Sequence, residues 1–167
     1  MRITSIPGFP ETQSIPEYRV AAAQEKLVFP GVQQCISVTG FSVFGLLGTH
    51  VSPGATAEEI EKTFEILRSG GGQNYPIWYV VGNFREHFNY TKVGWNATRK
   101  IVKALRENLS KGATYLVFDT SDIANAVGGF GIDIHATRTT FGVDFGYAKA
   151  FKPGATVTPI TDAFLRA

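Results

Sequence analysis

Cys35-Ile36-Ser37-Val38-Thr39-Gly40, then Ser42 to Leu47, then Gly48-Thr49-His50-Val51-Ser52-Pro53-Gly54-Ala55-Thr56: this stretch decides how the chain folds. The first two runs are apolar, β-branched and aromatic, a composition that predicts two successive strands, with Cys35 beside a turn and His50 at a strand end. Thr56-Ala57-Glu58-Glu59 is a capping-box pattern, in which a threonine hydroxyl and a glutamate three residues on satisfy each other's backbone amides. Behind it Ile60, Phe64 and Leu67 recur at helical spacing until Gly70-Gly71-Gly72 stops the run. Two strands feeding a helix point to layered α/β packing.

Working outward, the first sixteen residues carry Pro7, Pro10 and Pro16 among Ser, Thr and Gly, the composition of an extended arm, with the folded body starting near residues 17 and 18. Arg19 to Ala23 and Lys26 to Phe29 predict short strands, with a turn at Pro30-Gly31. Downstream, Ile77 to Phe84 has the composition of a buried strand. Asn96 to Lys111 sets Ile101, Val102, Leu105 and Leu109 on one helical face. Tyr115 to Phe118, a Gly128-Gly129 turn, Ile132 to Thr137 and Thr140 to Tyr147 complete the pattern, the last two as a hairpin. The expected fold is a single α/β domain over residues 17–167, a layered mixed β-sheet packed with two main helices.

The 167 residues, 44% hydrophobic, suffice to bury a core without staples. Sixteen Lys and Arg against fourteen Asp and Glu give a net charge of +2, and the basic residues are scattered, so no nucleic-acid stripe is indicated. No apolar run approaches the roughly 20 residues a membrane helix needs. The start shows no charged segment followed by an apolar one. These features lead us to expect a soluble monomer made in the cytoplasm, with non-classical export or delivery into a host cell left open. A single cysteine forms no internal disulfide and is no signature of a thiolate metal site, so no metal and no cofactor is expected.

Cys35 and His50 are the residues that suggest chemistry. A thiolate is a strong nucleophile, an imidazole beside it favours that state, and the same ring then hands the proton to a leaving group. The pair is fifteen residues apart, and an antiparallel return between them brings both to one sheet end. Amides near Cys35 would then serve as an oxyanion hole. The bland alternatives are a buried structural thiol and a histidine satisfied within the fold.

The order of cysteine, strand, Gly48-Thr49-His50-Val51-Ser52-Pro53-Gly54-Ala55-Thr56 and helix resembles the catalytic region of the cytotoxic necrotizing factor glutamine deamidases, grouped with CheD and Burkholderia lethal factor. The later order is similar to CheD: a strand, Val93-Gly94-Trp95-Asn96 leading into a helix, Tyr115 to Asp119, a Gly128-Gly129 turn and a terminal hairpin. The likeness spans roughly residues 27–151. Where family members have a small-residue step before the cysteine, this chain has Gln33-Gln34. The resemblance implies a CheD-like fold and hydrolysis of a glutamine side chain in a protein substrate. Cys35 would be the nucleophile and His50 the acid and base, without cofactor, in a bacterial toxin or effector. A third group orienting the imidazole is also implied, for which a carbonyl of Phe29 or Val32 is available. Two other readings stay open: a non-catalytic protein-binding module on the same fold, and a cysteine peptidase or transglutaminase-like acyl transferase.

The remaining signals read as structural. Asp133 and His135 share a strand face and suit a surface hydrogen bond, and Glu86-His87 has no partners that complete a zinc set. Gly70-Gly71-Gly72 and Gly128-Gly129-Phe130-Gly131 lack the context of phosphate loops, Asn89-Tyr90-Thr91 matches a glycosylation acceptor by chance, and Trp78 and Trp95 read as packing.

Overall fold

A computed structural model describes residues 2–90, 97–127 and 131–167. The Val93-Gly94-Trp95-Asn96 segment and the Gly128-Gly129 turn therefore lie outside the described residues. Along the chain run β1 (Thr4–Ser5), β2 (Thr12–Ser14), β3 (Arg19–Ala23), β4 (Lys26–Val32), β5 (Ile36–Ser42), β6 (Gly45–Val51) and α1 (Ala57–Ser69). There follow β7 (Ile77–Gly82), α2 (Phe84–Tyr90), α3 (Ala97–Asn108), β8 (Thr114–Asp119), α4 (Ser121–Val127), β9 (Ile132–Arg138), β10 (Val143–Lys149), β11 (Thr158–Pro159) and β12 (Leu165–Arg166).

The strands make two sheets, one in the order β1-β3-β6-β5-β7-β8-β12 and one in the order β11-β10-β9-β4-β2. The fold is thus mixed α/β with two sheets where the sequence suggests one. The reason lies in how each strand is covered. Six of the seven residues of β5 are buried, as in a strand covered on both faces, whereas β9 alternates buried and half-buried residues, as in a strand covered on one. On the larger sheet Ile36, Val38, Leu47, Trp78 and Val80 pack under Phe64 and Leu67 of α1 and Ile101, Val102 and Leu105 of α3. Its opposite face carries Cys35, Phe41, Leu46 and Val81 against Leu27, Phe29, Ile132, Ile134 and Phe145 of the smaller sheet. Among the described residues no helix is long and apolar enough to cross a membrane.

The capping box appears as written, Thr56 and Glu59 exchanging hydrogen bonds at the start of α1. Other boundaries move for local reasons. The expected strand Ser42 to Leu47 is interrupted by a hairpin tip at Val43-Phe44, whose apolar side chains are exposed. The Pro30-Gly31 turn is instead a bulge inside β4, where the pairing with β9 shifts between Phe29 and Val32 and Gly31 takes φ +66°. The strand from Ile77 stops at Gly82, because the Asn83 side chain accepts from the Glu86 amide and starts α2. The second strand of the last hairpin begins at Val143 rather than Thr140, since residues 139–142 form the tip.

The N-terminal stretch is extended and laid against both sheets. β1 pairs parallel with β3 and β2 parallel with β4, with Ile3 and Ile15 buried. Arg2 donates to both Glu59 carboxylate oxygens at the head of α1. At the other terminus β11 pairs with β10 and β12 with β8, and Phe164 packs on Phe118, Tyr79 and Phe145.

Candidate functional site

The antiparallel register of β5 and β6 sets Ser37 opposite His50 and Ile36 opposite Val51. Cys35 is two residues before Ser37 and so shares its face, which makes Cys35 a diagonal neighbour of His50 between the two sheets. Sequence reasoning expected this juxtaposition, and the structure makes it. Cys35 Sγ, a ring nitrogen of His50 and a carboxylate oxygen of Glu17 all lie within 4.8 Å of one another.

The His50 ring is held from both sides. Its Nδ1 is 2.8 Å from the Ile15 carbonyl. A carbonyl only accepts, so Nδ1 carries the proton and the free lone pair of the neutral ring belongs to Nε2. Nε2 is buried with no hydrogen-bond partner among the described residues. Phe29 packs edge-on against the ring, with centroids 6.1 Å apart. The orienting carbonyl is therefore that of Ile15, not of Phe29 or Val32. It comes from the segment that β2 lays beside β4, a tertiary pairing with no local sequence signal.

The loop before Cys35 is pinned at each step. The Gly31 amide donates to Asp133 Oδ1 at 2.8 Å, Gln33 donates to the Gly31 carbonyl, and the Gln34 carbonyl accepts from His87 Nδ1 at 3.0 Å. His87, discounted as a metal ligand, is a buried brace on α2. Beneath the loop, β7 approaches so closely that a Cβ on Gly82 would lie 2.6 Å from the Cys35 carbonyl oxygen and 2.8 Å from Ile36 Cα. Only glycine permits that approach. Of the strand-face pair read as suiting a surface hydrogen bond, Asp133 thus serves the loop.

Glu17, which sequence reasoning did not single out, faces the sulfur. The Cys35 thiol donates to its carboxylate at 3.1 Å. Burial pushes the thiol well above its ordinary range, and the hydrogen bond and charge of Glu17 push it further against a weaker opposing contribution from the Gln34 backbone amide. Burial lowers the His50 imidazole, outweighing the Ile15 carbonyl and the Glu17 charge. The resting pair is therefore a neutral thiol beside a neutral imidazole, rather than the ion pair expected from the sequence. Cys35 lines a polar cleft with Glu17, Gln33, Gln34, Ser52 and Gly54, although the residue is only 2% exposed.

A neutral thiol next to a neutral, correctly protonated ring is competent for general-base attack, in which the proton leaves sulfur as the new bond forms. Comparison with protein-family models and with curated proteins finds no match to this chain.

Proposed function

We propose that the chain is a cysteine-dependent protein-glutamine deamidase on a CheD-like fold, with Cys35 as nucleophile and His50 as acid and base. The observation that carries this reading is the meeting of Cys35 and His50 with Nδ1–H tied to the Ile15 carbonyl, which leaves the Nε2 lone pair to take a proton. Cys35 Sγ bonds to the carboxamide carbon while its proton passes to His50. The tetrahedral intermediate collapses as His50 returns that proton to the departing ammonia. Water then adds to the thioester with His50 as base, and glutamate and free thiol result. The amides of Gly31 and Gln33 are already engaged within the loop, so they are not the donors for an oxyanion. The substrate is a partner protein presenting a glutamine, and a delivered bacterial toxin or effector is the biological setting this chemistry suits.

The test is ammonia release from a glutamine-rich protein such as casein by the purified chain, with intact-mass analysis of the substrate. Ammonia together with a gain of about one dalton per site, abolished in Cys35→Ser, supports deamidation, because a peptidase cuts the substrate chain and an acyl transferase adds the mass of an amine. Cleaved substrate would mark a peptidase, and amine incorporation an acyl transferase. A second reading, a protein-binding module without turnover, is favoured by the burial of Cys35, which with the Glu17 carboxylate keeps its thiol protonated. Wild type and Cys35→Ser releasing equal ammonia would decide for it.

A further inference from the structure

We propose that Glu17, Cys35 and His50 form a binding site for a soft divalent cation, zinc, which occupies the sulfur and silences it as a nucleophile. The donor set is one carboxylate, one thiol and one imidazole, with their ligating atoms all within 4.8 Å of one another. Tetrahedral zinc, with bonds of about 2.0–2.3 Å, needs donors roughly 3.5 Å apart, so small side-chain movements close the set. The thiol and carboxylate are already 3.1 Å apart.

Independent support comes from the imidazole. A zinc-ligating histidine almost always donates its other N–H to a carbonyl or carboxylate, which fixes ring and tautomer, and His50 donates from Nδ1 to Ile15. Nε2 is left buried and without a partner, an acceptor whose desolvation nothing among the described residues offsets. A metal ion supplies the missing partner. Thiolate and carboxylate together carry the two negative charges that neutralise a divalent ion. The sulfur selects zinc over magnesium or calcium. With three protein ligands, the fourth position opens toward the cleft lined by Gln33, Gln34 and Ser52.

On binding, the Zn–S bond forms as the S–H bond breaks, the proton leaves to solvent, and no electron changes hands. Zinc then withdraws charge from the sulfur and occupies the one lone pair of the His50 ring, so no base is left to activate the thiol and metal binding opposes thiol chemistry. Sequence reading discounts a thiolate site because a single cysteine is no signature of one; the carboxylate of Glu17 and the ring of His50 join it only in the fold. The inference stands on the cleft geometry and does not depend on which reaction Cys35 performs.

The test uses the full chain, reduced and stripped with chelator, then titrated with Zn²⁺ alone against a competing chromophoric chelator, and in parallel with Co²⁺ alone as a spectroscopic probe. One ion per chain is expected, with a thiolate-to-cobalt charge-transfer band that disappears in Cys35→Ser. Glu17→Gln, a change at an exposed residue, should weaken Zn²⁺ binding by at least about tenfold. His50→Gln, its folding checked by circular dichroism, should do the same or more. Cobalt binding without the charge-transfer band, or equal Zn²⁺ affinity in wild type, Cys35→Ser and Glu17→Gln, would overturn the site. Ammonia release assayed in chelator keeps the two proposals apart. A chain that deamidates but binds no zinc loses only the metal site, and one that binds zinc but releases no ammonia loses only the deamidase reading.

Discussion

Glu17→Gln should make Cys35 more reactive toward alkylating agents. The substitution keeps an oxygen able to accept the thiol proton and removes only the charge, which stands 3.1 Å from the sulfur. Glu17 is exposed, so solvent screens it, and an effective dielectric constant of about 40–80 gives a thiolate–carboxylate repulsion of about 1.3–2.7 kcal/mol. Removing it raises the thiolate population at neutral pH by about tenfold to a hundredfold. The more acidic thiol is also intrinsically less nucleophilic, by a Brønsted factor of about 0.4–0.5, so the observed rate should rise by about three- to fifteenfold. The assay is the pseudo-first-order rate of iodoacetamide modification of the metal-free chain near neutral pH, with thermal melting as a folding control. Raising the salt concentration should accelerate wild type and leave the variant unchanged. Identical rates in both, with both folded, would refute the argument, because they would mean that burial alone sets the thiol's reactivity.

The other predictions test the frame around the pair. His50 and His87 are both lowered by burial, so the fold accommodates the neutral rings and resists protonation. Their stabilising contribution is complete above the ordinary histidine value of about 6.5 and is lost as pH falls below it, at up to about 1.4 kcal/mol per pH unit for each ring. Urea unfolding at stepped pH should show that decline, and His87→Gln should flatten part of it. Gly82→Ala places a methyl against the Cys35 carbonyl and Ile36 Cα, and should cost about 1–3 kcal/mol in denaturant unfolding while changing Cys35 alkylation more than an equally destabilising change elsewhere. Thr56→Ala removes the hydroxyl that accepts from the Glu59 amide, and should cost about 1 kcal/mol in the same measurement without altering Cys35 reactivity.

How much of this was legible in the sequence depends on the range of the interaction that fixes each part. The capping box at Thr56 and the amphipathic face of α3 are set by residues three and four apart, and both were read correctly in kind. The Cys35 and His50 pairing needed only one hairpin, and its approach at a sheet end followed from strand alternation, even though the apolar tip at Val43-Phe44 hid where the chain turned. What was illegible is what distant segments bring. The Ile15 carbonyl and the Glu17 carboxylate arrive from the N-terminal stretch, whose pairings with β3 and β4 leave no periodic signature in strands of two and three residues. Those two groups act on the pair in different ways. The carbonyl fixes which ring nitrogen receives a proton, and the carboxylate adds to burial in keeping the thiol protonated. The hairpin therefore brings the two residues together, while the N-terminal stretch, with burial, contributes to the protonation state in which they rest. A change near residue 15 or 17 should alter the chemistry of Cys35 as strongly as a change within the hairpin that carries it.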